Sequence, residues 1–160
     1  MERIITIINK SLNYFAVIIL VGIMIITNID VFGRFLFNQP LKGTFELTEL
    51  GLALMVFFAL GYTHLKNEHI TIDFIIEKLP PKIQYMYQAF VNILIVFLMI
   101  IISFQLWKYS QRLLNSNSTT GDLALPVHLF VLVTVAGTIA FSLAAALKAY
   151  LSLRKGGNEQ

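Results

Sequence analysis

The chain has no cysteine and only 4 prolines in 160 residues. Without thiols there is no disulfide staple, no thiolate metal site and no cysteine nucleophile, and the redox compartment leaves no mark. Charge is also scarce. Acidic and basic residues together make up 13% of the chain, where a soluble domain carries about 25%. The sequence shows no Ser/His/Asp constellation, no glycine-rich phosphate loop and no carboxylate-rich metal motif. Outside its apolar runs, no segment is long enough to build a soluble domain with its own core. These absences argue against an enzyme. Any binding work must fall to helices, short loops or another polypeptide.

What is present is apolar. Hydrophobic residues make up 57% of the chain, and the mean hydropathy is +0.75. Uncharged runs occupy 11–29, 50–65, 83–107 and 123–147. A helix needs about 20 mostly apolar residues to cross a hydrocarbon core of roughly 30 Å. Three runs meet that length, and the second does so by borrowing its first turn from the region of Glu46 and Glu49. The expected fold is an all-α integral membrane protein with four transmembrane helices. Their boundaries fall near 11–33, 45–65, 81–112 and 125–150, within one membrane domain covering 1–160. An inner amphipathic loop is expected over 66–80, an outer loop over 113–124 and a tail over 151–160. Arg3 and Lys10 ahead of the first run suggest a secretory signal. The run is too long for one, though, and Asp30 and Arg34 follow where a small-residue cleavage site would stand.

Basic residues set the expected orientation. Arg3, Lys10, Lys66, Lys78, Lys82, Lys148, Arg154 and Lys155 fall on one side, and Arg34, Lys42, Lys108 and Arg112 on the other. The positive-inside rule puts the richer side, with both termini, in the cytoplasm. The net charge of +3 then reflects anchoring to an anionic lipid surface rather than a nucleic-acid partner. Trp107 and Tyr109 at one helix end, and Tyr85, Tyr87 and Tyr150 at the other, suit interfacial aromatic belts.

Punctuation between the runs is clear. Gln39 precedes Pro40 and is biased away from the helical region, which ends the first helix. Thr44 is a candidate N-cap for the second. Pro81 and Pro126 suit the first turns of the third and fourth. The polar run 115–122 reads as a flexible outer loop. In the inner loop, Ile70, Ile72, Phe74 and Ile75 alternate with Glu68, His69, Thr71 and Asp73. This segment is expected to lie in the interface, either as a connector or as a contact to a partner through His69 and Asp73. Ala136, Ala140 and Ala144, with Gly137 and Ala145 beside them, form a small-residue stripe that permits close helix approach within the chain or between chains.

The densest polar cluster lies at the turn between the first two helices. Asp30 and Arg34 have the i,i+4 spacing of a same-face ion pair. Glu46 and Glu49 open the second helix, where the helix dipole favours carboxylates. Glu49 is the deepest of these groups, and Arg34 or Lys42 is its expected partner. Asp30, Arg34, Lys42, Glu46 and Glu49 thus form either a salt-bridged clamp on the helical hairpin or a docking face for an outside partner. Among the histidines, His64 and His128 fall at opposite membrane faces and His69 in the inner loop, which speaks against a shared haem iron. The span centres read as Leu, Ile, Val, Phe, Met and Ala. They offer nothing for ion coupling, so a self-sufficient transporter is not expected. A small proton-exchanging exporter would need a carboxylate in the middle of the first helix, and Asp30 is too close to its end.

Several motifs recur in order: Arg34-Phe-Leu-Phe-Asn-Gln-Pro-Leu, Glu46-Leu-Thr-Glu49, His69-Ile-Thr-Ile-Asp73 and Leu79-Pro80. In this the chain resembles the small four-helix membrane subunit of tripartite ATP-independent periplasmic (TRAP) transporters. It departs from the family pattern at Ala136-Gly137, where members often carry a proline before the glycine and with it a local kink. The resemblance implies a non-catalytic scaffold in a bacterial inner membrane, with no cofactor of its own. Its implied partners are a large membrane subunit carrying the sodium and substrate sites and a periplasmic substrate-binding protein that delivers an organic acid, such as a C4-dicarboxylate or sialic acid. The alternative is a four-helix assembly subunit of another membrane complex.

Overall fold

The computed structural model describes residues 2–66 and 80–157. Four helices fill them: α1 (Glu2–Phe37), α2 (Thr44–Leu65), α3 (Pro81–Asn115) and α4 (Val127–Gly157). All four are long and apolar enough to cross a membrane. There is no strand among the described residues, only an isolated bridge between Thr119 and Pro126. The expected amphipathic loop, with His69 and Asp73, lies outside the described residues.

α1 and α2 form an antiparallel hairpin, as do α3 and α4. The two hairpins join along α2 and α4, so α4 touches all three other helices. Of its most apolar window, 44% is buried, against 11% for α1 and for α3. Phe15, Ile18, Phe90 and Phe97 are each more than half exposed. Such a surface is intolerable in water and ordinary in lipid.

Two charge pairs mark the span. Lys10 and Asp30 are 20 residues apart along α1, as are Glu46 and Lys66 along α2 and its cap. At 1.5 Å per residue each interval is about 30 Å, the thickness of a hydrocarbon core. One end of the bundle therefore carries Asp30 and Glu46, and the other Lys10, Lys66 and His64.

α2 and α4 run parallel with a constant offset. Phe57 lies beside Gly137 and Phe141 beside Gly61. A Cβ on Gly137 would stand 3.0 Å from the Phe57 carbonyl oxygen, and one on Gly61 would stand 3.4 Å from the Phe141 Cα. Each helix thus supplies a glycine where the other supplies a phenylalanine, and the backbones close up as small residues allow in lipid. The expected alanine stripe is corrected in one position. Gly137, Ala140, Ala144 and Ala145 are buried, but Ala136 is exposed because it points away from this seam. α4 is one continuous helix through Ala136-Gly137.

One helix end meets expectation and one departs from it: α1 closes just ahead of the Gln39-Pro40 step, whereas the cap of α2 is not the expected one. α1 extends to Phe37, where Asn38 turns left-handed at φ 53° and donates its N–H to the Arg34 carbonyl at 3.1 Å, an αL cap built on asparagine. Thr44 does not cap α2. Its hydroxyl donates back to the Leu41 carbonyl at 3.1 Å, and the N-cap is Gly43 at φ 79°. Glycine is required there twice over, for the positive φ and because the Leu123 side chain fills the space a Cβ would take.

Candidate functional site

Polar groups gather at both ends of the bundle. At the Glu46 end, Asp30 is 5% exposed on α1. One carboxylate oxygen accepts the Leu41 N–H at 2.8 Å, and the other lies 2.6 Å from the Arg34 guanidinium. Asp30 therefore ties the last turns of α1 to the turn that leads into α2. Arg34 is mostly solvent-facing.

Glu46 has a different role. Its carboxylate accepts two consecutive backbone amides from the α3–α4 connection, Asp122 at 2.5 Å and Leu123 at 3.0 Å. The first turn of α2 is thereby bound to the other hairpin, and Leu123 is held over Gly43. The connection itself is braced rather than loose. Thr120 N–H donates to the Leu125 carbonyl at 3.0 Å, Leu125 N–H donates to the Thr120 hydroxyl at 3.0 Å, and the Ser116 and Ser118 hydroxyls meet at 2.6 Å. Hydroxyls of the polar run expected to be flexible thus bond within the connection itself, Thr120 to backbone and Ser116 to Ser118.

Sequence reasoning paired Glu49 with Arg34 or Lys42, and the structure corrects this. Arg34 is taken by Asp30 one turn away on the same helix. Glu49 and Lys42 are both exposed and form no ion pair among the described residues. A carboxylate facing solvent or headgroups needs no internal partner, because its hydration is retained. The cluster is therefore two separate braces, Asp30–Arg34–Leu41 and Glu46–Asp122–Leu123, with Lys42 and Glu49 left on the surface.

At the His64 end, sequence reasoning saw isolated residues where the structure shows a network. His64 is 6% exposed and Asn92 on α3 is 8% exposed. The His64 Nε2 lies 2.7 Å from the Asn92 Oδ1, while the Asn92 Nδ2 donates to the Gln88 carbonyl at 2.7 Å. With its amide nitrogen spent on Gln88, Asn92 presents an acceptor, so the His64 Nε2 carries the hydrogen. The imidazole edge also packs on Phe141, with ring centroids 5.3 Å apart. Phe141 is thirteen residues beyond His128 on α4, about 20 Å of helix, which keeps the two histidines well apart.

Asn9 on α1 is a second buried amide toward the same end of the bundle. It is 1% exposed, and its Nδ2 donates to the Ile5 carbonyl at 2.9 Å and to the Ala140 carbonyl at 3.3 Å. Its Oδ1 is buried without a hydrogen-bond partner and presses on Gly61. Midway along the bundle, the Thr138 hydroxyl donates to the Val135 carbonyl at 2.8 Å, which leaves Ser103 to donate to Thr138 at 2.7 Å. The span centres are therefore not purely apolar as expected. The missed signal was the scattered Asn, Ser and Thr within or beside the apolar runs, such as Asn9, Asn92, Ser103 and Thr138, the residue types that bond across helices in lipid.

Nothing in these arrangements resembles a reaction centre. Both networks join helices, and their donors and acceptors are mostly satisfied within the chain. Among the described residues, no three His, Cys, Asp or Glu side chains gather as metal ligands. In comparison with known families, residues 23–155 match the model described as tripartite ATP-independent periplasmic transporters, DctQ component. Among curated proteins there is no match.

Proposed function

The chain belongs to the DctQ-component family of tripartite ATP-independent periplasmic transporters, and from that premise we propose that it is the static scaffold on which a large sodium-coupled membrane subunit moves. As a transporter component it is a multi-pass membrane protein and not an enzyme. The family works as an assembly, so association with other transporter components follows from membership. The identity of those components, the inner-membrane location with both termini cytoplasmic, and uptake of an organic acid belong to the proposal.

One observation carries the scaffold reading: α1 and α3 are long apolar helices that their own chain barely covers, while the polar groups between helices are spent on bracing. A chain that moved substrate itself would need a polar path through its centre. A scaffold needs a rigid interior and a broad apolar exterior. Co-expression of the tagged chain with the large membrane subunit from the same operon tests this. Co-elution in mild detergent is expected, and complete separation would overturn the reading.

Docking of a periplasmic binding protein is assigned to Lys42 and Glu49, the exposed charges at the Glu46 end. Asp30, Arg34 and Glu46 serve as the framework behind them. Combining Lys42→Glu with Glu49→Lys should lower uptake at limiting binding protein while leaving the membrane complex assembled. Unchanged uptake would sink the docking role alone. His69 and Asp73 are proposed as contacts to the large subunit.

A further inference from the structure

An apolar groove of about 310 Å³ runs between α1 and α2. Its walls are Asn13, Val17 and Leu20 on one helix and Val56, Ala59 and Thr63 on the other. From Asn13 to Leu20 it follows about 10 Å of helix, most of the ~15 Å depth of one leaflet's hydrocarbon. Its polar end is built symmetrically. Asn13 stands three residues from Lys10 on α1, and Thr63 three residues from Lys66 at the end of α2. Each lysine reaches one turn toward the bundle centre, with its Nζ 5.9 Å from the ring centroid of Tyr14 or Tyr62. Both lysines stand at the headgroup level fixed by their 20-residue intervals to Asp30 and Glu46. The Thr63 hydroxyl is spent on the Ala59 carbonyl at 3.0 Å, but the half-buried Asn13 amide makes no hydrogen bond within the described residues.

We propose that this groove is a binding site for an anionic phospholipid, with one acyl chain along Val17, Leu20 and Val56 and the headgroup phosphate drawn to Lys10 and Lys66. Charge decides the occupant. A partner helix would suit the apolar walls, but Lys10 and Lys66, one turn beyond Asn13 and Thr63 on the two walls, would each need a carboxylate supplied by that helix. A phospholipid supplies the chain and the phosphate in one molecule, and the free Asn13 amide faces the level of its ester groups. The site does not depend on the scaffold role, and separation from the large subunit would leave it intact.

The test uses the full chain, purified in mild detergent and titrated with phosphatidylglycerol or phosphatidylcholine of identical acyl chains, with retained lipid read by native mass spectrometry. Wild type should retain phosphatidylglycerol roughly ten- to thirtyfold better. Lys10→Gln with Lys66→Gln should abolish that preference and leave phosphatidylcholine retention unchanged. Val56→Phe, at a position 46% exposed and so safe for folding, should reduce retention of both lipids. Equal retention by wild type, a preference that survives loss of both lysines, or full retention in Val56→Phe would each overturn the proposal. The absence of native cysteine permits one further check. Val17→Cys should stay uncrosslinked to a co-expressed large subunit, and an efficient crosslink would give the groove to a protein partner instead.

Discussion

His64 on α2 donates its Nε2 hydrogen to the Oδ1 of Asn92 on α3 over 2.7 Å, and both side chains are buried. This bond is the principal polar link between two helices that otherwise meet little, since α3 packs chiefly on α4. Asn92→Leu leaves a buried N–H without an acceptor, at a cost of about 1–2 kcal/mol. Adding His64→Phe should return part of that loss, because removing both partners costs less than orphaning one. A double-mutant cycle on unfolding in mixed micelles should give a coupling of roughly 0.5–1.5 kcal/mol.

Gly61 and Gly137 predict contrasting epistasis. Gly61→Ala sets a Cβ against the Asn9 amide, whose Oδ1 has no hydrogen bond to lose. Gly137→Ala sets one against the Phe57 backbone, which cannot swing aside. Each should destabilise by about 1–3 kcal/mol. Only the first should be relieved by Asn9→Ala, and thermal unfolding in detergent of the four variants decides this. Gly22→Ala, with nothing within 4 Å of the added carbon, is the neutral control.

Glu46 should be felt at a distance. Glu46→Ala removes the acceptor for the Asp122 and Leu123 amides, so hydrogen exchange should rise at those two positions while the helices keep their protection. Glu46→Gln keeps one neutral acceptor oxygen and should fall between wild type and alanine. Equal exchange in all three proteins would show that the loop holds itself.

Asp30 and Arg34 are an unequal pair. Asp30 is buried and serves the Leu41 amide as well, whereas Arg34 is mostly exposed and water can replace it. Asp30→Ala should therefore expose the turn at 38–43 to protease, and Arg34→Ala should do so far less. High salt should weaken the Arg34 contribution by screening and leave the Leu41 hydrogen bond in place.

Much of this was legible locally. Hydropathy placed all four helices, because the cost of exposing apolar residues to water is a property of each run by itself. The Gln39-Pro40 step marked the close of α1 within a few residues. The i,i+4 spacing of Asp30 and Arg34 announced their bond, since both sit on one helix of fixed pitch. The role of Glu46 was not legible. Its partners lie 76 and 77 residues away, and they are backbone amides, which every sequence has. Asn9 and Asn92 gave only the faint signal of amides in apolar surroundings.

The sequence by itself determined that this chain has four helices long and apolar enough to cross a membrane, because hydropathy and helix pitch act along a single helix. Tertiary structure decided which acid holds which partner, why Glu49 remains outside while Glu46 is engaged, and how the glycines of α2 and α4 each receive the other's phenylalanine. Those outcomes depend on how two helices rotate and slide against each other. That choice is made by the summed contacts of whole helix faces, and no single position in the sequence reports it.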